Sequence, residues 1–218
     1  MHERLRRSLR ALTPCLGALV FASVAFVAPV QAAEGPPTPS FGRGQIHSSV
    51  GGGYGFSMVR NDSETESSEY GTVGANLAIG LTDPLGGDAW YRGNIDLLTE
   101  ATLLVGPEQR SGVPGGGSLL LRWNWLRNPR FVPFASIGAG MVDLDLNLES
   151  QSDGLSFMLQ GGLGTYVFLT RNYALNAEWR YQHISNANLR LPNKGIDASV
   201  FFIGTTFFFG GLPSFSIR

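Results

Sequence analysis

The dominant pattern along the chain is an alternation of apolar and polar residues. From Gly71 to Leu81 the odd positions are apolar, apart from Gly71 itself, and the even positions are small or polar. A period of two predicts β-strands with one apolar and one polar face. The alternation recurs along the chain and predicts eight strands, at residues 46–59, 71–81, 91–97, 118–125, 132–146, 155–167, 173–182 and 196–209.

Charged residues recur on the polar face of these segments, which helps to choose between two all-β architectures. They are Arg92, Asp96, Arg122, Glu178 and Arg180. A soluble sandwich also alternates, but segments of about 10 to 15 residues are typical of membrane-spanning strands. In lipid every backbone group must be paired, so only a closed sheet can span the bilayer. The sequence therefore predicts an all-β fold, an eight-stranded antiparallel transmembrane β-barrel with these charges in its interior.

The alternation also assigns individual side chains to the two faces. In the fifth predicted strand it puts Val142 and Leu144 on the lipid-facing side, with Asp143 directed inward. Aromatic residues such as Trp90 and Tyr181 suit the interface between lipid and water. They would suit a second copy of the chain equally well, so the sequence leaves a homodimer open.

The lengths of the connections predict an orientation, because bacterial barrels have short periplasmic turns and longer outer loops. Turns are predicted at residues 83–88, 127–129 and 170–172. Outer loops are predicted at residues 61–69, 106–115, 147–154 and 186–195. Both chain ends would then lie in the periplasm.

The N-terminal segment has the features of a secretory signal peptide. Arginines precede an apolar run from Leu16 to Val30, which ends in small residues. A membrane anchor is the alternative, but the run is short for a spanning helix. We expect residues 1–32 to be a cleaved signal peptide, residues 33–44 a periplasmic segment and residues 45–218 the barrel.

Removal of this segment limits the chemistry of the mature chain. Cys15 is the one cysteine, so disulfides and thiolate chemistry are not expected after cleavage. Four arginines and Glu3 leave with it, which changes 16 basic and 17 acidic residues to a net charge of −4. An acidic chain lacks the basic surface that nucleic-acid binding requires.

Two polar residues interrupt the lipid-facing side of the seventh predicted strand near its outer end. They are His183 and Ser185, which continue the odd positions after Tyr181. Residues two apart on a strand share one face, so an imidazole could activate a neighbouring hydroxyl as a nucleophile. Asp197 opens the next strand and is the candidate carboxylate for orienting the imidazole. From periodicity alone, polar residues at the wet rim of a barrel are the favoured explanation.

The local sequence resembles the active-site segment of the PagL lipid A 3-O-deacylases. The resemblance rests on His183-Ile184-Ser185-Asn186-Ala187, followed by Leu189, Pro192-Asn193, Gly195-Ile196 and Asp197, with weaker similarity over residues 133–140. It implies an eight-stranded outer-membrane barrel in which Ser185 is the nucleophile, His183 the general base and Asp197 the orienting acid. Members commonly carry glutamate at the position of Asp197. Asn186 and Asn193 are candidates for the oxyanion hole, although Asn193 also suits a turn after Pro192.

The same resemblance implies a substrate and a location. The substrate would be lipid A, the anchor of lipopolysaccharide in the outer leaflet, and the product a 3-hydroxy fatty acid. Neither a metal nor an organic cofactor is expected. Asn188, Arg190 and Lys194 would contact the phosphates of lipid A or form part of a solvated loop. The alternative is a non-enzymatic barrel, an adhesin or membrane-stabilising protein, that acts through its acidic loop at residues 61–69.

Overall fold

The structure is a computed structural model that describes residues 41–60, 65–105, 115–145 and 148–211. The predicted signal peptide at 1–32 and most of the predicted segment at 33–44 lie outside the described residues. So do parts of the predicted outer loops at 61–69, 106–115 and 147–154. No helix in the described ranges is long and apolar enough to cross a membrane.

Eight antiparallel strands form one closed barrel, which confirms the predicted fold. The strands are β1 (Gln45–Arg60), β2 (Thr65–Gly80), β3 (Gly93–Val105), β4 (Gly115–Trp125), β5 (Phe131–Leu144), β6 (Gly154–Phe168), β7 (Tyr173–Ser185) and β8 (Ile196–Gly211). Each strand pairs with the next, and β8 pairs with β1. The ladder therefore has no unpaired edge, as a spanning sheet requires.

Burial follows the predicted alternation in most strands. In β6 and β7 the apolar odd positions such as Leu159, Leu163 and Trp179 face outward, and the even positions are mostly buried. In β5 the prediction is wrong at the end of the strand: Val142 and Leu144 are buried and Asp143 is exposed. The reason is that the interior near this end is apolar, so the usual rule of polar residues inside does not hold there.

The interior has three layers between the two ends. The end that carries residues 186–195, here called the outer end, is filled by an apolar cluster that includes Tyr70, Val142, Ile184 and Ile196. The opposite end is filled by a mainly aromatic cluster that includes Phe134, Tyr166 and Phe208. Between them lies a layer of charged residues.

In this middle layer the charges pair with one another. Glu178 accepts hydrogen bonds from Arg122, Arg180 and Ser136 at 2.8 to 3.2 Å. Arg180 also contacts both carboxylate oxygens of Glu100, at 2.6 and 3.1 Å. Arg122, Glu178, Arg180 and the separately held Asp96 are buried, as predicted. Arg92 is exposed in the connection before β3, so the prediction of an interior position is wrong for this residue.

Two connections differ from their predicted lengths. Strand β2 begins at Thr65, so much of the acidic segment predicted as the loop 61–69 is paired with β1. Residues 81–92, predicted as a short turn around 83–88, form a long connection with its own bridge between Leu85 and Gly93. Hence the rule of short turns and long loops fails for the first hairpin. Polar residues can continue a β-ladder because the backbone pairs whatever the side chains are.

Candidate active site

The hairpin of β7 and β8 brings His183 and Asp197 together on the outside of the barrel. The two residues are direct partners in the antiparallel register. His183 Nδ1 lies 2.8 Å from Asp197 Oδ1. Both side chains are close to half exposed, at 46% and 48%. The loop of residues 186–195 has the predicted bounds, and its length sets the register that makes this contact.

Ser185 continues the same outward face of β7 by one step. Its Oγ is 3.1 Å from Asn193 Nδ2 and 3.3 Å from Asn193 Oδ1, so it hydrogen-bonds the amide of that side chain. The backbone N–H of Ala187 also donates to Ser185 Oγ, at 3.3 Å. Within the described residues no hydrogen bond joins Ser185 to His183. Asn193, and not His183, is therefore the side-chain partner of Ser185 in this structure.

Gly195 lies against the outer edge of the His183 ring. It directly precedes Ile196, whose register partner is Ile184, and so lies just beyond the last registered pair at the loop end of the hairpin. A Cβ at this glycine would be 3.1 Å from His183 Cε1 and 3.6 Å from Nε2. Its φ of 79° also favours glycine. The ring edge that bears Nε2 thus faces the end of the strand where Ser185 lies.

Residues 150–152, just before β6, contact the loop of residues 186–195 that carries part of the candidate site. Gln151 is buried, and its Oε1 accepts the N–H of Gly195 at 3.0 Å. Gln151 also forms a β-bridge with Asn193, and the Ser152 N–H donates to Pro192 O at 2.8 Å. These contacts form a backing that holds the loop of residues 186–195 in place. The sequence did not predict them, because Gln151 belongs to an irregular segment without periodicity.

Asn186 points into this backing. Its side chain is buried, and Nδ2 donates to Ser152 Oγ at 2.8 Å and to Arg190 O at 3.0 Å. Its backbone N–H donates to Asn193 Oδ1 at 3.1 Å. Asn186 thus orients Asn193 and closes the loop, whereas Asn193 is the amide that contacts Ser185.

The three loop residues considered for phosphate contact have different surroundings. Arg190 Nη2 donates to Leu155 O at 2.7 Å, with the guanidinium packed over Gly154. Asn188 Oδ1 accepts a hydrogen bond from Asn193 Nδ2 at 3.1 Å. Lys194 is exposed, and its backbone N–H donates to Ser150 O. The leucines at 189 and 191 are among the most exposed apolar side chains of the described chain.

Tyr181 is a further residue of the site that sequence reasoning assigned only to the aromatic surface. Its hydroxyl donates to Asp197 Oδ1 at 2.5 Å, the same oxygen that contacts His183. The alternation places Tyr181 outward but does not predict this contact. It is a diagonal one, because the direct partner of Tyr181 in β8 is Ser199.

A second His-x-Ser pair, His47 and Ser49, lies inside the barrel. His47 is 1% exposed and is 3.8 Å from Asp96, while Ser49 hydrogen-bonds Thr206. A cavity of about 30 Å³ lies beside Ser49, with room for about one water molecule. A lipid has no access to this pair, so the outward pair is the candidate for chemistry. No group of three or more potential metal ligands occurs among the described residues.

Comparison with known proteins identifies a family. The family model described as lipid A 3-O-deacylase (PagL) matches residues 50–206. The matched segment contains the whole β7–β8 site and spans most of the chain. A search of curated proteins finds no match.

The chain is similar to several solved outer-membrane structures at low identity. It is 13% identical to Neisserial surface protein A, with a TM-score of 0.49, covering 74% of this chain and 97% of that one. For the outer membrane enzyme PagL the values are 16%, 0.47, 73% and 97%. For the N-terminal barrel domain of Pseudomonas aeruginosa OprF they are 16%, 0.47, 76% and 99%.

The family assignment rests on the family match, because identities this low do not carry function. It confirms the resemblance found in the HISNA segment at residues 183–187 and the predicted location in the bacterial outer membrane. The chain belongs to the lipid A 3-O-deacylase family of outer-membrane β-barrels.

Proposed function

We propose that the chain is a serine-type lipid A deacylase that releases the 3-O-linked hydroxyacyl chain from lipid A in the outer leaflet. The observation that carries the proposal is the outward His183–Asp197 contact beside Ser185. Family membership supports the substrate. A site on the outer wall suits a lipid substrate, because lipid A reaches it by lateral diffusion within the leaflet.

In the first half of the reaction Ser185 attacks the ester carbonyl carbon. Its hydroxyl proton passes to His183 Nε2, while Asp197 keeps the Nδ1 proton in place and stabilises the imidazolium. The tetrahedral intermediate then breaks the bond to the sugar oxygen, which takes the proton from Nε2. The glucosamine hydroxyl leaves, and the acyl chain remains on Ser185.

In the second half a water molecule attacks the acyl-enzyme. His183 accepts the water proton and returns a proton to Ser185 Oγ as the ester bond breaks. The products are a 3-hydroxy fatty acid and the free enzyme. Neither half requires a metal or organic cofactor.

The donors around Ser185 Oγ support a candidate oxyanion hole. Ala187 N–H and Asn193 Nδ2 both approach this oxygen in the resting site. The oxyanion of the intermediate forms next to Oγ, so the same two donors are suited to bind it. Asn186 would act indirectly, since its N–H is already bound to Asn193 Oδ1. Arg190 and Lys194 remain candidates for the lipid A phosphates.

Expression in a host whose lipid A carries the full set of primary acyl chains tests the proposal. Mass spectrometry of extracted lipid A is expected to show loss of one primary hydroxyacyl chain. Ser185→Ala is expected to abolish this loss and still give a heat-modifiable barrel, because the substitution leaves backbone pairing intact. Ser118→Ala, a substitution of a buried serine on β4, is the matched control and should retain activity.

Two results would contradict the proposal. Unchanged lipid A beside correctly inserted wild-type protein would favour a non-enzymatic barrel. Full turnover by the folded Ser185→Ala variant would show that another group is the nucleophile. The acidic segment on which the non-enzymatic alternative relied is largely part of the β1–β2 ladder. A homodimer stays a prediction without support.

A further inference from the structure

The Asp197 carboxylate has an unusual arrangement of donors for a lipid-facing position. One oxygen, Oδ1, accepts from Tyr181 Oη at 2.5 Å and contacts His183 Nδ1 at 2.8 Å. A distance of 2.5 Å is typical of a hydroxyl bound to an ionised carboxylate. Two donors that converge on one oxygen restrict the rotamer of the Asp197 side chain.

The tyrosine also fits the short side chain at this position. Aspartate has one methylene fewer than glutamate, so fewer of its rotamers bring an oxygen to the imidazole. The antiparallel register puts Tyr181 one step below His183 on the same face. The tyrosine side chain is long enough for its hydroxyl to reach the Asp197 carboxylate diagonally, from the side away from the loop of residues 186–195. Tyr181 thus supplies a support that a bare His–Asp pair at the barrel surface would lack.

We propose that Tyr181 is a positioning residue of the candidate triad, which holds Asp197 against His183 and shares the carboxylate charge through its hydroxyl. The inference rests on the proposed serine-type function and goes beyond it by assigning a fourth side chain. Within the described residues no hydrogen bond joins Tyr181 to Ser185. Tyr181 acts on catalysis through Asp197.

Among the described residues, Asp197 is the charged group that contacts His183. On β6 the neighbours of this face are Leu159 and Gly161, which carry no charge. On β8 the residue beyond Asp197 is Ser199. Lys194 and Arg190 belong to the loop above the pair, and Tyr54 lies farther around the barrel on β1. A change at Tyr181 therefore reaches the imidazole chiefly through Asp197.

Tyr181→Phe tests the proposal, because it removes the hydroxyl and keeps the ring. We expect kcat to fall about tenfold with little change in KM, the scale of losing one hydrogen bond to a charged group. Tyr54→Phe is the matched control: Tyr54 is similarly exposed, at 50% against 44%, and should leave both unchanged.

A double-variant comparison separates positioning from packing. In an Asp197→Ala background Tyr181 has lost its acceptor, so adding Tyr181→Phe should change the residual rate less than twofold if the tyrosine acts through Asp197. An equal loss in both backgrounds would overturn the proposal. So would wild-type values of kcat and KM for Tyr181→Phe itself.

A spectroscopic measurement keeps the proposal testable if no turnover is found. In the folded protein in micelles, the proton on His183 Nδ1 is expected to give a low-field NMR signal. Tyr181→Phe should shift this signal, whereas Tyr54→Phe should not. An unshifted signal would overturn the proposal. Failure of the proposed function is distinct, because it shows as full turnover in Ser185→Ala or as unchanged lipid A with wild type.

Discussion

At the scale of single residues, the site depends on the reach of one carboxylate. Asp197 Oδ1 is 2.8 Å from His183 Nδ1, so the shorter acid meets the imidazole without the extra methylene of glutamate. The strand register compensates for the shorter side chain, because His183 and Asp197 are direct partners and not diagonal neighbours. Position 197 should therefore tolerate either acid but not a neutral amide.

Asp197→Asn is expected to lower turnover at least a hundredfold while the barrel still folds. An amide carries no charge to stabilise the imidazolium and can present its NH₂ group to Nδ1, which disfavours the required tautomer. Asp197→Glu should retain activity within about tenfold of wild type. The measurement is the rate of fatty acid release by matched, folded variants. An Asp197→Asn rate equal to wild type would reduce the proposed triad to a dyad of Ser185 and His183.

The sequence predicts some of these residues and not others for a physical reason. His183 and Ser185 interrupt an apolar face, so the alternation of the sequence identifies them as candidates. Tyr181 obeys the alternation and Gln151 lies in no regular element, so neither leaves a periodic signal. Their roles come from diagonal and loop contacts, which depend on register and backbone path more than on the order of residue types.

At the scale of elements, two connections support the candidate site on β7 and β8. Residues before β6 form a backing for the loop between β7 and β8, through Gln151, Ser150 and Ser152. Several of these contacts use the backbone, so they persist with many side chains. Gln151 is the buried side chain that binds Gly195 directly, next to the His183 ring.

Gln151→Ala is expected to lower turnover several-fold without unfolding the barrel. The substitution frees the Gly195 N–H and removes a buried side chain beneath the loop, which lets Asn193 and the imidazole drift. Limited trypsin digestion of the protein in micelles should then cut faster after Arg190 and Lys194 than in wild type. Unchanged digestion together with unchanged turnover would show that the backbone contacts alone hold the loop.

Element boundaries were predicted well where the turn chemistry is distinct and poorly where it is not. The loop at 186–195 has clear Asn, Pro and Gly signals, and its bounds agree with the structure. The acidic stretch after Arg60 looks like a loop from its composition, yet from Thr65 it pairs with β1. Backbone pairing decides such a segment, and composition does not report it.

At the scale of the whole molecule, the location of the site follows from how the barrel is filled. Apolar side chains close the outer end and mainly aromatic ones the other, with the ion pairs of Arg122, Arg180, Glu100 and Glu178 between them. No lipid enters such an interior, so the outer wall is the surface that suits the proposed chemistry on lipid A. The alternation predicted the charged interior. It did not predict the end of β5, where Val142 and Leu144 face inward, because the interior at the outer end is apolar.

The charged residues of the interior and the candidate active site lie on opposite faces of the barrel wall, which gives a final prediction. Glu178→Gln removes the carboxylate that pairs with both Arg122 and Arg180 and leaves buried positive charge uncompensated. We expect the free energy of unfolding to fall by about 3 to 5 kcal/mol, the scale of breaking a buried ion pair. Urea unfolding in lipid vesicles, followed by tryptophan fluorescence, measures this change, and Glu69→Gln on the exposed surface is the matched control.

Turnover per folded molecule should stay at the wild-type value, because Glu178 faces inward from β7 while His183 faces outward. A Glu178→Gln enzyme that is as stable as wild type but inactive would mean that the interior charges, and not the outer wall, carry the reaction.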